Sequence, residues 1–383
     1  MNETNRPPKT RPVTIGGFDH VEAVTVGGDA PVVVQTMWKD RLVKTELDLV
    51  AGRIAKLRRA GCRVLRFAVP DIEAAETLGL LAQAVSMPLV ADVHFDYRIA
   101  LRCMDFPVAK IRINPGNIGS RDKVRRVLEK AAGKGIPIRI GVNSGSLPAD
   151  LRPRGGEGAA TVAEAMVEAA ERELALFDEF GFDRVLVSMK AGEIADTVRA
   201  NRIFSGRSNV PLHVGVTEAG PLVPGLVRST AALVPLLAEG IGDTVRVSLS
   251  DSAENEVIAA TEICRAAAEV AALYGGKADR LRREGARITS CPRCGRHGFD
   301  THAFIDRWLA RLYAIRQPIT VAVMGCEVNG PVEAANADIG ITGMGNRVLI
   351  FRHGKPVRKT GLEDADAAFA EVLAEVLGEQ PPA

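Results

Sequence analysis

Residues 88–113, PLVADVHFDYRIALRCMDFPVAKIRI, hold a strand, a helical stretch and the next strand. The apolar runs PLVADV (88–93) and AKIRI (109–113) are short and carry polar residues toward their ends, and the residues between them follow a helical pattern. The same alternation repeats in both directions. Strands are expected near 31–36 (PVVVQT), 63–68 (RVLRFA), 136–142 (IPIRIGV), 184–189 (RVLVSM), 211–216 (PLHVGV) and 243–249 (DTVRVSL). Helical patterns fill the gaps, among them 46–60, 120–133, 159–179 and 252–273. Eight strand–helix units in about 275 residues match an α/β fold of the (β/α)8 TIM-barrel type in number and length. An open doubly wound sheet is the rival, and no Gly-rich dinucleotide turn supports it. Ahead of the first unit, VTIGG (13–17) and VEAVTVGG (21–28) read as a small hairpin with glycine turns.

In such a barrel, chemistry belongs at the C-terminal ends of the strands. The polar residues there are Arg66, Asp92, His94, Arg112, Asn114, Arg139, Asn143, Lys190, Thr217, Glu218, Arg246 and Ser248. Residues two apart on a strand face the same way, which pairs Arg112 with Asn114 and Arg246 with Ser248. Five strands thus bring a cation to one rim, where burial is costly unless an anion is met. At ~4 Å and an effective dielectric near 20, each cation–anion pair contributes roughly 4 kcal/mol before desolvation. The bland alternative is pairing with barrel carboxylates, but Asp92 and Glu218 are too few to neutralise the set. Converging arginines therefore point to a phosphate or diphosphate substrate. His94 reads equally as a structural histidine or a substrate contact, and Glu218 as a counter-ion or a proton carrier.

After Tyr274 the composition changes. The charged, glycine-flanked stretch GGKADRLRREGAR is expected to be a linker. The expected division is a tail at 1–12, a barrel domain at 13–275, a linker at 276–286, a small α+β domain at 287–378 and a frayed tail at 379–383. The second domain opens with RITS and CPRCG, continues through a helix near 301–314, and reaches an apolar strand that ends at Cys326. In GCEVNGPVE (325–333), Asn329, Gly330 and Pro331 turn the chain, and Pro331 suits the first position of a helix that places Glu333 in its first turn. Three strand-like segments and a helix near 362–377 follow.

Cys291 and Cys294 have the CxxC spacing of a metal knuckle. Zinc is the commoner occupant, but a zinc ribbon needs a second CxxC or a His pair, and His297 lies too close to Cys294 to serve easily. Three thiolates without a fourth suit an iron–sulfur cluster with one distinct iron, and Glu333 offers a carboxylate to it. Cys62, Cys103 and Cys264 lie in apolar or helical contexts and read as packing residues.

The chain has 383 residues, a net charge of +2 and a pI near 8.2, so nothing marks a general nucleic-acid or membrane surface. MNETNRPPKTRP lacks the apolar core of a signal peptide, and no run of about eighteen apolar residues exists. Six cysteines without a short secreted framework suit a reducing cytoplasm.

The strings VADVHFDYRIAL, IRINPGNIGS, IPIRIGVNSGSL, GVTEAG, EGIGDTVRVSL, CPRCG and GCEVNGPVEA resemble the 4-hydroxy-3-methylbut-2-enyl-diphosphate synthase family of the non-mevalonate isoprenoid pathway. The likeness runs from about residue 12 to residue 360, with motifs in family order. It implies a TIM barrel followed by a sulfite-reductase-like domain with one [4Fe–4S] cluster per chain, held by Cys291, Cys294, Cys326 and Glu333. It also implies that Arg66, Arg112, Arg139, Lys190, Arg246 and Ser248 bind a diphosphate, and that Asp92, His94, Asn114, Asn143, Thr217 and Glu218 complete the pocket. The implied reaction is the two-electron reductive ring opening of 2-C-methyl-D-erythritol 2,4-cyclodiphosphate with loss of water. The implied donor is ferredoxin or flavodoxin, and the implied assembly is a homodimer in which one subunit's cluster domain caps the other's barrel. The extra domain of the larger plant-type form has no room here.

Three departures from the family pattern stand out. Val332 replaces a usual glycine, and a φ above zero there would strain it. Glu327 follows the third cysteine as a rival carboxylate. QTMWKD (35–40) replaces the more usual QSMTNT, so the end of the first strand is expected to line the pocket differently. Two other functions fit the residues less fully. A cluster-dependent dehydratase would turn over without an external reductant. A zinc-knuckle interaction protein using the barrel cations for nucleic acid would want a more basic chain with interleaved aromatics.

Overall fold

A computed structural model of the chain describes residues 9–153, 161–276, 278–281, 285–292, 294–327 and 330–379. Asn329, parts of the expected linker and most of both expected tails lie outside the described residues. The chain divides into two compact units, Met1–Arg282 and Arg283–Ala383.

The first unit begins with a hairpin of β1 (Val13–Ile15) and β2 (Val24–Val26), paired antiparallel with Val13 opposite Val26. Eight parallel strands follow: β3 (Val33–Met37), β4 (Val64–Ala68), β5 (Leu89–Asp92), β6 (Lys110–Ile113), β7 (Ile138–Asn143), β8 (Val185–Lys190), β9 (His213–Val214) and β10 (Thr244–Val245). Their order in the sheet is β8-β7-β6-β5-β4-β3-β10-β9, and a parallel bridge from Val187 to Leu212 joins the two ends. This is the expected (β/α)8 barrel. The ladders of β9 and β10 are only two residues long, and beyond them the backbone leaves the sheet to carry Thr217, Glu218, Arg246 and Ser248.

Helices fill the crossovers: α1 (Leu47–Ala60), α2 (Ile72–Ala84), α3 (Tyr97–Cys103), the single turn α4 (Pro115–Ile118), α5 (Arg121–Lys134), α6 (Val162–Glu179), α7 (Ile194–Arg207), α8 (Leu222–Ala238) and α9 (Ala253–Tyr274). Their starts are set locally. Asp71 accepts from the Ala74 amide at 2.8 Å to open α2, Thr161 and Glu164 form a capping box at α6, and Ser252 accepts from the Asn255 amide at 3.1 Å at α9. Such caps each contribute about 0.5–2 kcal/mol. The buried faces of these helices and the outward strand residues form one apolar shell, in which Cys62, Cys103 and Cys264 are packed.

Inward residues alternate along each strand. At the N-terminal end, Val33, Val64, Val90 and Leu186 meet Val13, Ile15, Val24 and Val26, so the hairpin plugs the barrel floor with apolar contact. Above that floor the interior turns polar. Buried Lys110 on β6 donates from Nζ to Gln35 Oε1 on β3 at 3.0 Å, a bond that must cross the lumen because β5 and β4 lie between those strands. TIM-barrel interiors are usually filled by branched apolar side chains, and this departure positions the site.

The second unit holds a five-stranded sheet in the order β11 (Arg287–Ser290), β12 (Thr320–Met324), β13 (Ile339–Met344), β14 (Arg347–Arg352), β15 (Lys355–Gly361). The first three strands are parallel and the last two add as antiparallel hairpins. Helix α10 (Thr301–Ala314) joins β11 to β12, α11 (Gly330–Glu333) is one turn, and α12 (Ala365–Leu377) ends the unit. Aromatic residues are scarce in the chain, yet several stack here: Phe304 meets Phe369 edge-on at 5.2 Å, and Trp308 meets it at 4.9 Å. The Trp308 indole donates to Asp366 Oδ1 at 2.5 Å, which fixes α10 against α12. No described helix is long and apolar enough to cross a membrane.

Candidate active site and cysteine cluster

The barrel mouth is organised around two buried carboxylates. Asp92, at the end of β5, lies 3.0 Å from Arg112 Nη1 and 3.6 Å from Arg66 Nε, and its Oδ1 is 3.6 Å from His94 Nε2. Arg112 Nη1 is also 3.1 Å from His94 Nε2. Burial alone would raise the Asp92 pKa, but the neighbouring His94 and the guanidiniums of Arg66, Arg112 and Arg139 outweigh it and hold the carboxyl well below its ordinary range. Burial pulls Arg66 down to about 10 against the attraction of Asp92, with Arg246 and Arg112 adding repulsion, and it stays protonated at neutral pH.

The second carboxylate was not foreseen. Glu256, on the first turn of α9, accepts from Thr36 Oγ1 at 2.5 Å, Lys39 Nζ at 2.6 Å, the Leu249 amide at 2.9 Å, and both Nε and Nη2 of Arg246 at 3.3 Å. The carboxylate count read from strand ends therefore needs correction. Glu256, not Glu218, neutralises the Arg246 side of the mouth. Glu218 is exposed, sits in the left-handed region at φ 53°, and forms no ion pair among the described residues. Its backbone conformation costs a non-glycine residue about 1–2 kcal/mol.

The cations still outnumber the carboxylates. Arg139 donates from Nη1 to Ser188 Oγ at 2.9 Å, and its Nε and Nη2 make no hydrogen bond among the described residues; nor does Nε of Arg112, nor Nε of Arg66 beyond its 3.6 Å ion-pair contact with Asp92. Lys110 is fully enclosed and Lys190 is buried, and burial first, then the neighbouring arginines, pulls both well below the ordinary lysine range. Two inward glycines make the space. A Cβ at Gly141 would lie 2.7 Å from Arg112 Nε, and one at Gly215 would lie 2.6 Å from Lys190 Nζ. Any other residue at either position would displace a mouth cation.

Of the remaining residues singled out from the sequence, Asn114 precedes α4 and Asn143 ends β7 opposite Lys190, both half-buried. Thr217 and Ser248 are half-buried beyond β9 and β10. Lys39 comes from the unusual QTMWKD stretch, and its Nζ also donates to the Leu249 carbonyl at 2.6 Å. That stretch lines a cleft of ≈600 Å³ with Met37, Trp38, Leu42, Pro70 and Ala74. Lys39, Lys110, His213 and Glu256 escaped the sequence reading. Lys110 carried a signal, since it is two residues before Arg112 and so shares its face.

In the second unit, Ser290 pairs with Val323, so β11 and β12 end side by side; Cys291 follows the first and Cys326 lies just past the second. The Gly325 amide donates to Cys291 Sγ at 3.1 Å. Cys294 is exposed, and the backbone amide of Arg296 lowers its thiol pKa. Gly330 N donates to the Cys326 carbonyl at 3.0 Å, which ties α11 and its Glu333 to the third cysteine. All six cysteines are free. Among the described residues no three His, Cys, Asp or Glu side chains converge as one metal ion would require. The donor chemistry nonetheless fits an iron–sulfur group: three reduced thiols, one already accepting an amide hydrogen bond, and one exposed carboxylate in the turn bonded back to Cys326. Val332 is exposed and is not among the residues with positive φ, so the valine in GPVE is unstrained.

Burial pushes the thiols of Cys62, Cys103 and Cys264 up to about 12. A native metal-free sample treated with iodoacetamide at neutral pH is expected to alkylate Cys294 first and to leave these three unmodified, as read by peptide mass spectrometry.

The fold and the site define a class: a TIM barrel with a cation-rich mouth, followed by an α+β unit carrying three free cysteines. The GcpE TIM-barrel domain matches residues 18–261, and the GcpE protein C-terminal domain matches residues 287–375. The chain belongs to the GcpE family. It is 51% identical over 381 residues to the 4-hydroxy-3-methylbut-2-en-1-yl diphosphate synthase (flavodoxin) of Treponema pallidum, covering 95% of this chain and 91% of that protein. The proteins of the same name from Treponema denticola and Thermodesulfovibrio yellowstonii are 46% and 43% identical, covering 97% and 93% of this chain and 99% and 97% of theirs. The family resemblance drawn from the sequence motifs is the one these comparisons give.

Proposed function

We propose that this chain is a flavodoxin-dependent 4-hydroxy-3-methylbut-2-en-1-yl diphosphate synthase. It opens the ring of 2-C-methyl-D-erythritol 2,4-cyclodiphosphate with two electrons and releases one hydroxyl as water. The observation that carries this reading is the group of buried guanidinium nitrogens on Arg66, Arg112 and Arg139 that make no hydrogen bond among the described residues. Each such donor costs about 1–3 kcal/mol when left unmade, and a diphosphate would relieve several at once. The relatives' name supplies the identity of that anion.

Arg66, Arg112, Arg139, Lys190, Arg246 and Ser248 bind the diphosphate, while Asp92, His94, Asn114, Asn143 and Thr217 orient the rest of the substrate. The diphosphate leaves one ring carbon but stays tethered through its other end, so the same cations hold it before and after opening. Asp92 and Glu256 keep the guanidiniums aligned without neutralising all of them. Glu218, at the rim, delivers the proton to the departing hydroxyl. Cys291, Cys294, Cys326 and Glu333 would hold one [4Fe–4S] cluster, which would supply electrons one at a time. The working assembly is a cytoplasmic homodimer.

The test is anaerobic turnover of the cyclodiphosphate with reduced flavodoxin, product being followed by phosphorus NMR. Product is expected only with the reductant, and turnover without it would make the enzyme a non-redox dehydratase. At the mouth, Arg112→Ala or Arg246→Ala should weaken substrate binding by about 2 kcal/mol or more, the scale for removing one partner of a buried charge pair. The visible spectrum of the cluster should stay unchanged. Normal binding by both variants would end the anion-site reading.

A further inference from the structure

We propose that His213 is a positioning residue for this reaction: a neutral imidazole beneath the mouth that accepts a hydrogen bond from Lys190 and fixes its ammonium, protonated, toward the substrate's diphosphate. The inference rests on the reading of Lys190 as a substrate cation. Lys190 Nζ lies 3.1 Å from His213 Nε2, and His213 Nδ1 lies 2.6 Å from Thr244 Oγ1. Lys190 is buried, and His213 and Thr244 are fully so. An ammonium has donors only, so Nε2 must accept. The imidazole then carries its proton on Nδ1 and donates it to Thr244 Oγ1. An imidazolium would set a donor against a donor and cannot form this chain.

The surroundings explain why such an acceptor is needed. Lys190 faces Arg139 of β7, Arg246 beyond β10 and Arg66 of β4, with the Glu256 carboxylate of α9 acting weakly against them. His213 faces Lys190, Arg139, Arg66 and Lys110 of β6. Lys190 makes no ion pair among the described residues, and Gly215 gives its Nζ the space a side chain would fill. Burial and the neighbouring cations all favour loss of the Lys190 proton, whereas a neutral acceptor favours the charged form. The same cations and burial hold His213 well below the ordinary histidine range, in the state the hydrogen bond requires.

A merely space-filling histidine would tolerate any well-packed replacement, so two variants separate the readings. His213→Leu removes the acceptor and His213→Gln keeps one. His213→Leu should raise KM for the cyclodiphosphate about tenfold with a smaller change in kcat, the scale of one lost hydrogen bond to a charged group. The basic limb of its kcat/KM–pH profile should move to lower pH by about one unit, because the ammonium has lost a partner that stabilised it. His213→Gln should restore both. Equal behaviour of the two variants, or an unmoved KM and limb in His213→Leu, overturns the inference. If Lys190→Gln binds substrate normally, the substrate reading of Lys190 falls and the inference with it. If Lys190→Gln binds weakly while His213→Leu is normal, the inference alone falls. One measurement needs no variant: nitrogen NMR of histidine-labelled holoenzyme should find His213 neutral with its proton on Nδ1 at neutral pH, and an imidazolium or the Nε2–H tautomer overturns the assignment.

Discussion

Cys291→Ser, Cys294→Ser and Cys326→Ser are each expected to yield a colourless or nearly colourless protein with no measurable synthase activity. Protein purified without oxygen should instead be brown and hold about four iron and four sulfide per chain, because thiolate ligation is what retains a cluster of this kind. The three sites are not structurally equivalent, and the losses test more than packing. Cys326 is buried past the end of β12, and Cys291 packs against the apolar cluster of Ala322, Met324 and Phe351. Cys294 is exposed, so Cys294→Ser changes no core contact and should leave the thermal midpoint of the metal-free protein unmoved. Loss of iron in that variant can therefore be assigned to ligation. Iron and acid-labile sulfide analysis, with the visible spectrum, decides the matter. A colourless unsubstituted protein with one stoichiometric zinc would sink the assignment and favour the zinc-knuckle reading.

The barrel was legible because its signal is repeated: each strand is an apolar run of the right length, and the spacing between runs accommodates one helix each time. The mouth was legible where a polar residue interrupts an apolar run near its C-terminal end, as with Arg66, Asp92 and Arg112. Residues reached by other routes were not. Glu256 lies in the first turn of a helix, where an acid ordinarily complements the dipole, and nothing local reveals that Thr36, Lys39 and Arg246 converge on it from β3 and beyond β10. His213 sits in the apolar run PLHVGV, and only the closed barrel shows that it meets Lys190 from the neighbouring strand. Gly141 and Gly215 look like ordinary strand glycines until the guanidinium and ammonium pressed against them are placed. Long-range packing made these parts of the site, and no pattern within one element encodes it. In the second unit the cysteines were visible by spacing, but the pairing of β11 with β12, which sets Cys291 near Gly325, was not.

Glu333→Ala is expected to leave iron and sulfide content near that of the unsubstituted protein while reducing turnover by about a hundredfold or more. Loss of a group that merely supports a metal ligand costs 10–100-fold, and a direct ligand should cost at least about the upper figure. Three thiolates would still hold the cluster, so the change should appear in its electron paramagnetic resonance or Mössbauer signature at one iron. The competing account is that Glu333 complements a helix dipole, worth about 0.3–1 kcal/mol. Helix α11 is a single turn of four residues, Gly330–Glu333, and has little dipole to complement. Its placement is firm for so short an element. Gly330 donates to the Cys326 carbonyl, and a Cβ at that position would lie 2.6 Å from Thr342 Oγ1, so the turn is pressed onto β13 beside the cysteine. Glu327, one residue after Cys326, lies in the turn beyond β12 and is exposed, as Glu333 is, but only Glu333 belongs to the turn bonded back to the Cys326 carbonyl through Gly330. Glu327→Ala should therefore leave both activity and spectrum unaltered. A fully active Glu333→Ala enzyme with an unchanged cluster signature would refute the ligand assignment, and a damaged Glu327→Ala enzyme beside it would transfer the role to the rival carboxylate.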